Sequence, residues 1–129
     1  LEDALAFPPV FIPLDVQLAV STNPALPGSP FPAVLASYSP AFQPVTGLGG
    51  NADPINACTP LTNDLTGKIG VCRRGGCVFT VKTTNVENAG AIGTIVVQTA
   101  GAPTVMGGAP TGTGPSVMIS RTDGDTLIN

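Results

Sequence analysis

Apolar residues in the second half of the chain come in short blocks separated by turn-forming ones. "GKIGVC" (Gly67 to Cys72) is a brief apolar run bounded by turns, which predicts a strand. From Val78 to Ala89, the positions Val78, Val81, Val86 and Ala89 fall near helical spacing. The helix this predicts has weak intrinsic propensity, because it is rich in threonine. Gly90 stands where a left-handed residue would end it. "AIGTIVV" (Ala91 to Val97) is β-branched and apolar, the next strand. Strand, helix and strand with short joins predict a right-handed crossover with parallel strands. "SVMIS" (Ser116 to Ser120) is a further strand. Ser120, followed three residues later by Asp123, is a capping-box variant that predicts a terminal helix from about Arg121. Between these lies "QTAGAPTVMGGAPTGTGP" (Gln98 to Pro115), which reads as a mobile loop.

The first half is less regular. "VFIPLDVQLAV" (Val10 to Val20) predicts an edge strand or one broken at Pro13. "TNPALPGSPFP" (Thr22 to Pro32) predicts a turn-rich connection, and "AVLASYSPAF" (Ala33 to Phe42) another short strand. "PVTGLGGNADPINACTPL" (Pro44 to Leu61) reads as a long loop punctuated by Gly47, Gly49, Gly50 and Pro54.

A length of 129 residues fits one domain with a single modest core. At 43% hydrophobic and 10% charged residues the chain is expected to fold, and 16 Gly with 14 Pro imply many turns. A net charge of −3 argues against nucleic acid as a partner, because phosphate binding needs a broad basic face. There is no run of about eighteen apolar residues, so no membrane insertion is expected. The N-terminal "LEDALAFPPVF" has no basic region followed by an apolar stretch, so no signal peptide is expected there. The sequence is read as a mature protein or, in preference, as a domain excised from a larger one.

There are three cysteines, Cys58, Cys72 and Cys77. Cys72 lies in a predicted strand, where a buried thiol is ordinary packing. Cys58 and Cys77 lie in loops, so the expected disulfide is Cys58–Cys77, in an oxidising compartment. Three reduced thiols is the alternative. Histidine is absent, which removes Ser-His-Asp and Cys-His chemistry and the commonest zinc ligand. No dinucleotide fingerprint, phosphate loop or calcium ladder is present. No catalytic residue, cofactor or metal is therefore expected.

Chemistry of another kind gathers at "RRGGCVFTVKTTNVENAGA" (Arg73 to Ala91). Four of the five basic residues, Lys68, Arg73, Arg74 and Lys82, fall within fifteen positions. Gly75 and Gly76 allow a sharp turn with open N–H groups, and a helix start follows. Arg73, Arg74, Gly75, Gly76 and Lys82 are the candidate ligand-binding residues. Arg74 leads, because a guanidinium can grip a carboxylate at two points. Phe79 is expected in the core. A shallow groove is expected between this loop and Gln98 to Pro115, both of which leave neighbouring strand ends.

"LTGKIGVCRRGGCVFTVKTTNVENAGAIGTIVV" resembles the core of a protease-associated (PA) domain. The matching positions are Gly67, Lys68, Ile69, Arg74, Gly75, Cys77, Phe79, Lys82, Asn85, Ala89, Gly90 and Ala91. "MGG" (Met106 to Gly108) and "PSVMISRTDGDTLI" are similar to the family's second half, so the likeness runs from Ala41 to Ile128. The family usually adds a strand after the last helix, where this sequence stops. Residues 1–40 are extended segments expected to join the sheet, in a single domain spanning 1–129. The resemblance implies an α/β, β-rich fold: a small closed or half-open β-barrel or sandwich with a β-α-β unit and two flanking short helices. It also implies a non-catalytic interaction module of a secreted or cell-surface peptidase. Such a module would meet a peptide or protein substrate, or the parent's own catalytic domain. A structural spacer or lid without a ligand is the alternative, and an independent hydrolase a remote one.

Overall fold

The computed structural model describes residues 4–6, 15–21, 31–41, 43 and 45–128, the first two stretches as backbone only. Seven strands and two helices follow one another: β1 (Ala4–Ala6), β2 (Asp15–Ser21), β3 (Phe31–Leu35), β4 (Thr46–Asn51), β5 (Ile69–Arg73), α1 (Phe79–Asn88), β6 (Gly93–Val97), β7 (Ser116–Ile119) and α2 (Arg121–Ile128). Strands β3-β7-β6-β5-β4 form a mixed five-stranded sheet, which is not closed by itself. β2 continues it antiparallel to β3, and β1 pairs with both β2 and β4, so the N-terminal strands complete the ring β1-β2-β3-β7-β6-β5-β4. Pairing of β4 with β5, β5 with β6 and β6 with β7 is parallel. The predicted β-α-β crossover is thus present as β5-α1-β6.

Parallel strands covered on both faces read as unbroken apolar runs, because each face must find a packing partner. Period-two alternation then sorts the side chains. Ile69, Val71, Ile95, Val97, Val117 and Ile119 face one core, which also holds Phe31, Ala33 and Leu127 of α2. Cys72, Val96 and Met118 face the second core, with Tyr38, Leu65, Met106 and Val86 of α1. α1 lies flush on this face because Gly70 has no side chain. A Cβ there would run into Val86 Cγ1 and come within 3.1 Å of Leu65 Cδ1.

Both predicted helix ends form. α1 stops at Gly90, whose φ is +102° and whose missing Cβ leaves room for Thr66. At the start of α2, the Asp123 backbone N–H donates to Ser120 Oγ at 3.1 Å.

Four expectations need correction. Thr46–Asn51 is strand β4 rather than loop. Gly47 and Gly50 admit it: a Cβ at Gly47 would sit 2.9 Å from the Gly67 carbonyl oxygen, and one at Gly50 2.7 Å from Leu65 Cδ2. The strand expected over Ala33 to Phe42 begins at Phe31 and ends at Leu35, after which Tyr38 turns inward and is buried. Of the strand expected over Val10 to Val20, at an edge or broken at Pro13, Val10 to Leu14 lie outside the described residues; from Asp15 it pairs with both β1 and β3, so it is not an edge strand. In α1 the inward face is Lys82, Thr83 and Val86, whereas Val78 is 65% exposed and Val81 38% exposed. The threonine and lysine turn inward because polar partners await them there.

Those partners also pin the Gln98 to Pro115 loop, which sequence alone presents as mobile. Ser37 donates its backbone N–H and its hydroxyl to the Met106 carbonyl, at 2.9 and 3.0 Å. Thr111 N–H donates to the Tyr38 carbonyl at 3.1 Å. The Glu87 carboxylate of α1 accepts from the backbone N–H groups of Thr113 and Gly114. Beneath the loop, Tyr38 Oη and Thr83 Oγ1 share a buried hydrogen bond of 2.8 Å. Buried polar groups are tolerated where they find partners of this kind.

Candidate functional site

The cationic loop springs from the end of β5, where Arg73 pairs with Val97 of β6. Beyond it, Arg74 N–H donates to the Val97 carbonyl at 3.0 Å and Arg73 N–H to the Ile55 carbonyl at 2.8 Å. The backbone then turns through Gly75 (φ +115°) and Gly76 (φ +85°), values that a side chain would strain. Gly76 also packs on the disulfide: a Cβ there would be 3.1 Å from Cys58 Sγ. Cys58 and Cys77 are bonded, and Cys72 is a free, buried thiol. Burial pushes the Cys72 thiol up to about 12, because a thiolate in apolar surroundings loses its hydration.

The candidate residues part company here. Arg74 is exposed. Its guanidinium lies over the Phe79 ring, 5.2 Å from the centroid, and its Nη1 donates to Gln98 Oε1 at 2.8 Å. Gln98 is itself buried, and its amide donates to the Ala102 carbonyl at 3.2 Å. Phe79, expected in the core, is half-buried with its ring under Arg74. Among the described residues no carboxylate pairs with Arg74; the ion pairs found are Arg73–Asp125 and Arg121–Asp125. The guanidinium is therefore held by an aromatic face and an amide, with unpaired donors facing solvent.

Arg73 is differently placed. Its Nη2 meets Asp125 Oδ1 of α2 at 2.9 Å, and Arg121 shares the same carboxylate. These hydrogen bonds hold the Asp125 carboxyl below its ordinary value. Lys82 is wholly buried. Its Nζ donates to the carbonyls of Asn56 and Gly75, each at 2.6 Å, and lies 3.6 Å from Cys58 Sγ. Burial draws its ammonium below the ordinary lysine value. Lys82, one of the candidate ligand-binding residues, thus clamps the loop from beneath instead of meeting solvent. Sequence reasoning missed Gln98 and Asp125 as partners of the arginines. Nothing in their local sequence marks them: Gln98 meets Arg74 because β5 and β6 lie side by side, and Asp125 meets Arg73 because α2 brings its carboxylate to the end of β5.

Two loops that leave neighbouring strand ends therefore meet at Arg74 and Gln98. A model of the PA domain matches residues 28–127. The chain belongs to the PA domain family. The match takes in β3, beyond the stretch that carried the resemblance in sequence. Over 54 residues the chain is 45% identical to ER degradation-enhancing alpha-mannosidase-like protein 3 of Homo sapiens, 40% of this chain and 6% of that protein. Over 47 residues it is 43% identical to signal peptide peptidase-like 2 of Arabidopsis thaliana, 36% of this chain and 9% of that protein. Among solved structures it is similar to BSAP, a zinc aminopeptidase from Bacillus subtilis, with a TM-score of 0.66 and 26% identity. That likeness covers 81% of this chain and 27% of the aminopeptidase. The PA domain accordingly spans only a small part of each relative. Among the described residues no cluster of His, Cys, Asp or Glu could hold a metal ion, and no helix is long and apolar enough to cross a membrane.

Proposed function

We propose that this PA domain is a non-catalytic recognition module, attached to a peptidase or a similar processing enzyme, that presents Arg74 to a carboxylate on a peptide or protein. The single observation behind this reading is the state of Arg74. A flexible side chain has been fixed over Phe79 and on Gln98, yet it has no acidic partner among the described residues. Fixing a guanidinium in advance lowers the ordering cost of binding. The two remaining sides of the site are backbone-rich: Gly75 and Gly76 on one, the Gln98 to Pro115 loop on the other. An acidic side chain or a C-terminal carboxylate is the group this geometry suits. The relatives bear on the role as well. One is named as mannosidase-like, others as aminopeptidase or signal peptide peptidase-like, so similar modules accompany unlike chemistries. A part carried by enzymes of different activities fits recognition or positioning better than bond breaking. The disulfide favours an extracellular or otherwise oxidising setting.

The test is titration of the chain with short peptides ending in a free or amidated carboxyl group, and with the parent's catalytic domain. Arg74→Ala is expected to weaken carboxylate binding by about 1.5–3 kcal/mol, the worth of a charged hydrogen bond. Arg74→Lys should not restore it, since an ammonium lacks the planar fork. The unfolding midpoint should move far less than the affinity. Binding that ignores both substitutions places the partner elsewhere. Absence of saturable binding to any peptide or to the catalytic domain returns the module to a spacer or lid.

A further inference from the structure

Lys82 poses a problem that the recognition reading leaves untouched. It is a lysine with no exposed surface and no acidic partner among the described residues. A buried ammonium is costly unless its donors and its charge are met. Two donors are satisfied by the Asn56 and Gly75 carbonyls. The remaining contact is Cys58 Sγ at 3.6 Å. A disulfide sulfur is neutral and a poor acceptor, so in the oxidised chain this third contact contributes little. If the S–S bond opens toward Cys58, the same sulfur becomes an anion beside the buried cation. Near neutrality, that is the state in which Lys82 gains a counter-charge among the described residues, since the Cys72 thiol stays protonated. Cys77 Sγ has no such contact among the described residues. The pair is thus electrostatically asymmetric, and thiolates beside a lysine are stabilised.

We propose that the Cys58–Cys77 disulfide is a thiol-exchange site, in which the thiolate of a small-molecule thiol or protein dithiol attacks Cys77 Sγ and Cys58 leaves as a thiolate held by Lys82. The incoming thiol first yields its proton to solvent. A new bond joins its sulfur to Cys77 Sγ, and the electron pair of the old bond passes to Cys58 Sγ. A second thiolate then attacks the mixed disulfide and releases Cys77 as thiolate. Two external thiols are oxidised to one disulfide, and the protein disulfide is reduced to two thiol groups. A better-stabilised leaving sulfur departs faster, which gives the reaction its direction.

Access and surroundings agree. Cys58 and Cys77 are half-buried, flanked by exposed Thr59, Gly75 and Gly76. Lys82 reaches Cys58 from α1. The carbonyl oxygens of Asn56 and Gly75 also face this sulfur, at 3.5 and 3.4 Å, and oppose an anion there; Lys82 donates to both, so its ammonium offsets them. The other titratable neighbour of Lys82 is the Cys72 thiol on β5, which stays protonated near neutrality. After opening, the Lys82 bonds to Asn56 and Gly75 still hold the two loops together. Reduction is therefore expected to loosen the Arg74 loop without unfolding the chain. The exchange reaction itself does not depend on Arg74 meeting a ligand.

The chain is incubated with reduced glutathione near pH 7, quenched with acid and mapped by mass. The glutathionyl group is expected on Cys77, with Cys58 as a free thiol. Lys82→Arg should open at nearly the native rate, and Lys82→Met roughly tenfold more slowly. Cys77→Ser supplies a second readout that survives if Lys82→Met does not fold. There Cys58 is an unpaired thiol beside Lys82, and its thiolate absorbance is expected to titrate at least a unit below the usual value of about 8.5. Glutathione found mainly on Cys58, equal opening rates with and without the Lys82 charge, or a Cys58 titration at or above the usual value each overturns the proposal.

Discussion

Gly124→Ala sets two physical effects against each other. Gly124 lies in the middle of α2, where alanine is the better helix former by about 1 kcal/mol. Propensity alone therefore predicts a more stable protein. Packing predicts the opposite. An added Cβ would overlap Val97 Cγ1 and lie 2.6 Å from Val97 Cγ2 and 2.8 Å from Val97 Cβ. Val97 is wholly buried in β6, and its β-branch cannot rotate clear because both methyls and the branch carbon are engaged. Either α2 rises from the sheet or the core shifts. Overpacking costs about 1–3 kcal/mol; meeting three atoms of one immobile side chain belongs in the upper part of that range, about 2–3, and the propensity gain offsets about 1. The net expectation is destabilisation of about 1–2 kcal/mol, or roughly 4–8 °C in Tm for a chain of this length. Urea unfolding should show a lower midpoint at unchanged slope. Val97→Ala alone should cost about 2 kcal/mol through its cavity. In the double variant the new methyl occupies the space that Val97 vacates, so the two costs should fall short of additive by about 1 kcal/mol or more. A neutral or stabilising Gly124→Ala, or strict additivity, would show that α2 does not lie against β6 as described.

Two further outcomes concern single groups. Cys72, buried and with its thiol pushed up to about 12, should resist alkylation near pH 8 in the folded chain and react at once on unfolding; modification without loss of structure would contradict its burial. Asp125 has a depressed folded pKa, so its contribution is present above the unfolded value of about 3.9 and disappears as pH falls through the folded value. Asp125→Asn should therefore be less stable than the native chain near neutrality and converge on it in acid, as denaturation at several pH values would reveal.

Local pattern carried the second half of the fold. The run from Gly67 to Val97 combines a short apolar block bounded by turns, a helical block ended by Gly90 and a β-branched block, and each of these elements forms where its local signals place it. The disulfide was legible for a related reason: two cysteines stood among turn formers and one inside an apolar strand. β4 was not legible. "TGLGGN" has almost no strand propensity; it pairs with β5 because glycines let it approach Gly67 and Leu65 closely, and that requirement exists only once the sheet is assembled. The face of α1 was misjudged because valine spacing mattered less than the carbonyls and hydroxyls that await Lys82 and Thr83 beneath the helix.

The candidate site divides along the same line. From residue types and spacing came a cationic glycine loop at a helix start, and from them came the prominence of Arg74. Tertiary structure alone decided that Arg73 is occupied by Asp125, that Lys82 is buried against the disulfide, and that Arg74 stands exposed on Phe79 and Gln98. The physical reason is one of range. Backbone preferences and hydrophobic period act over a few residues and are written locally. The partner of a charge is set by which strand ends the sheet brings together, as Arg74 and Gln98 are 24 positions apart in sequence yet 2.8 Å apart in space.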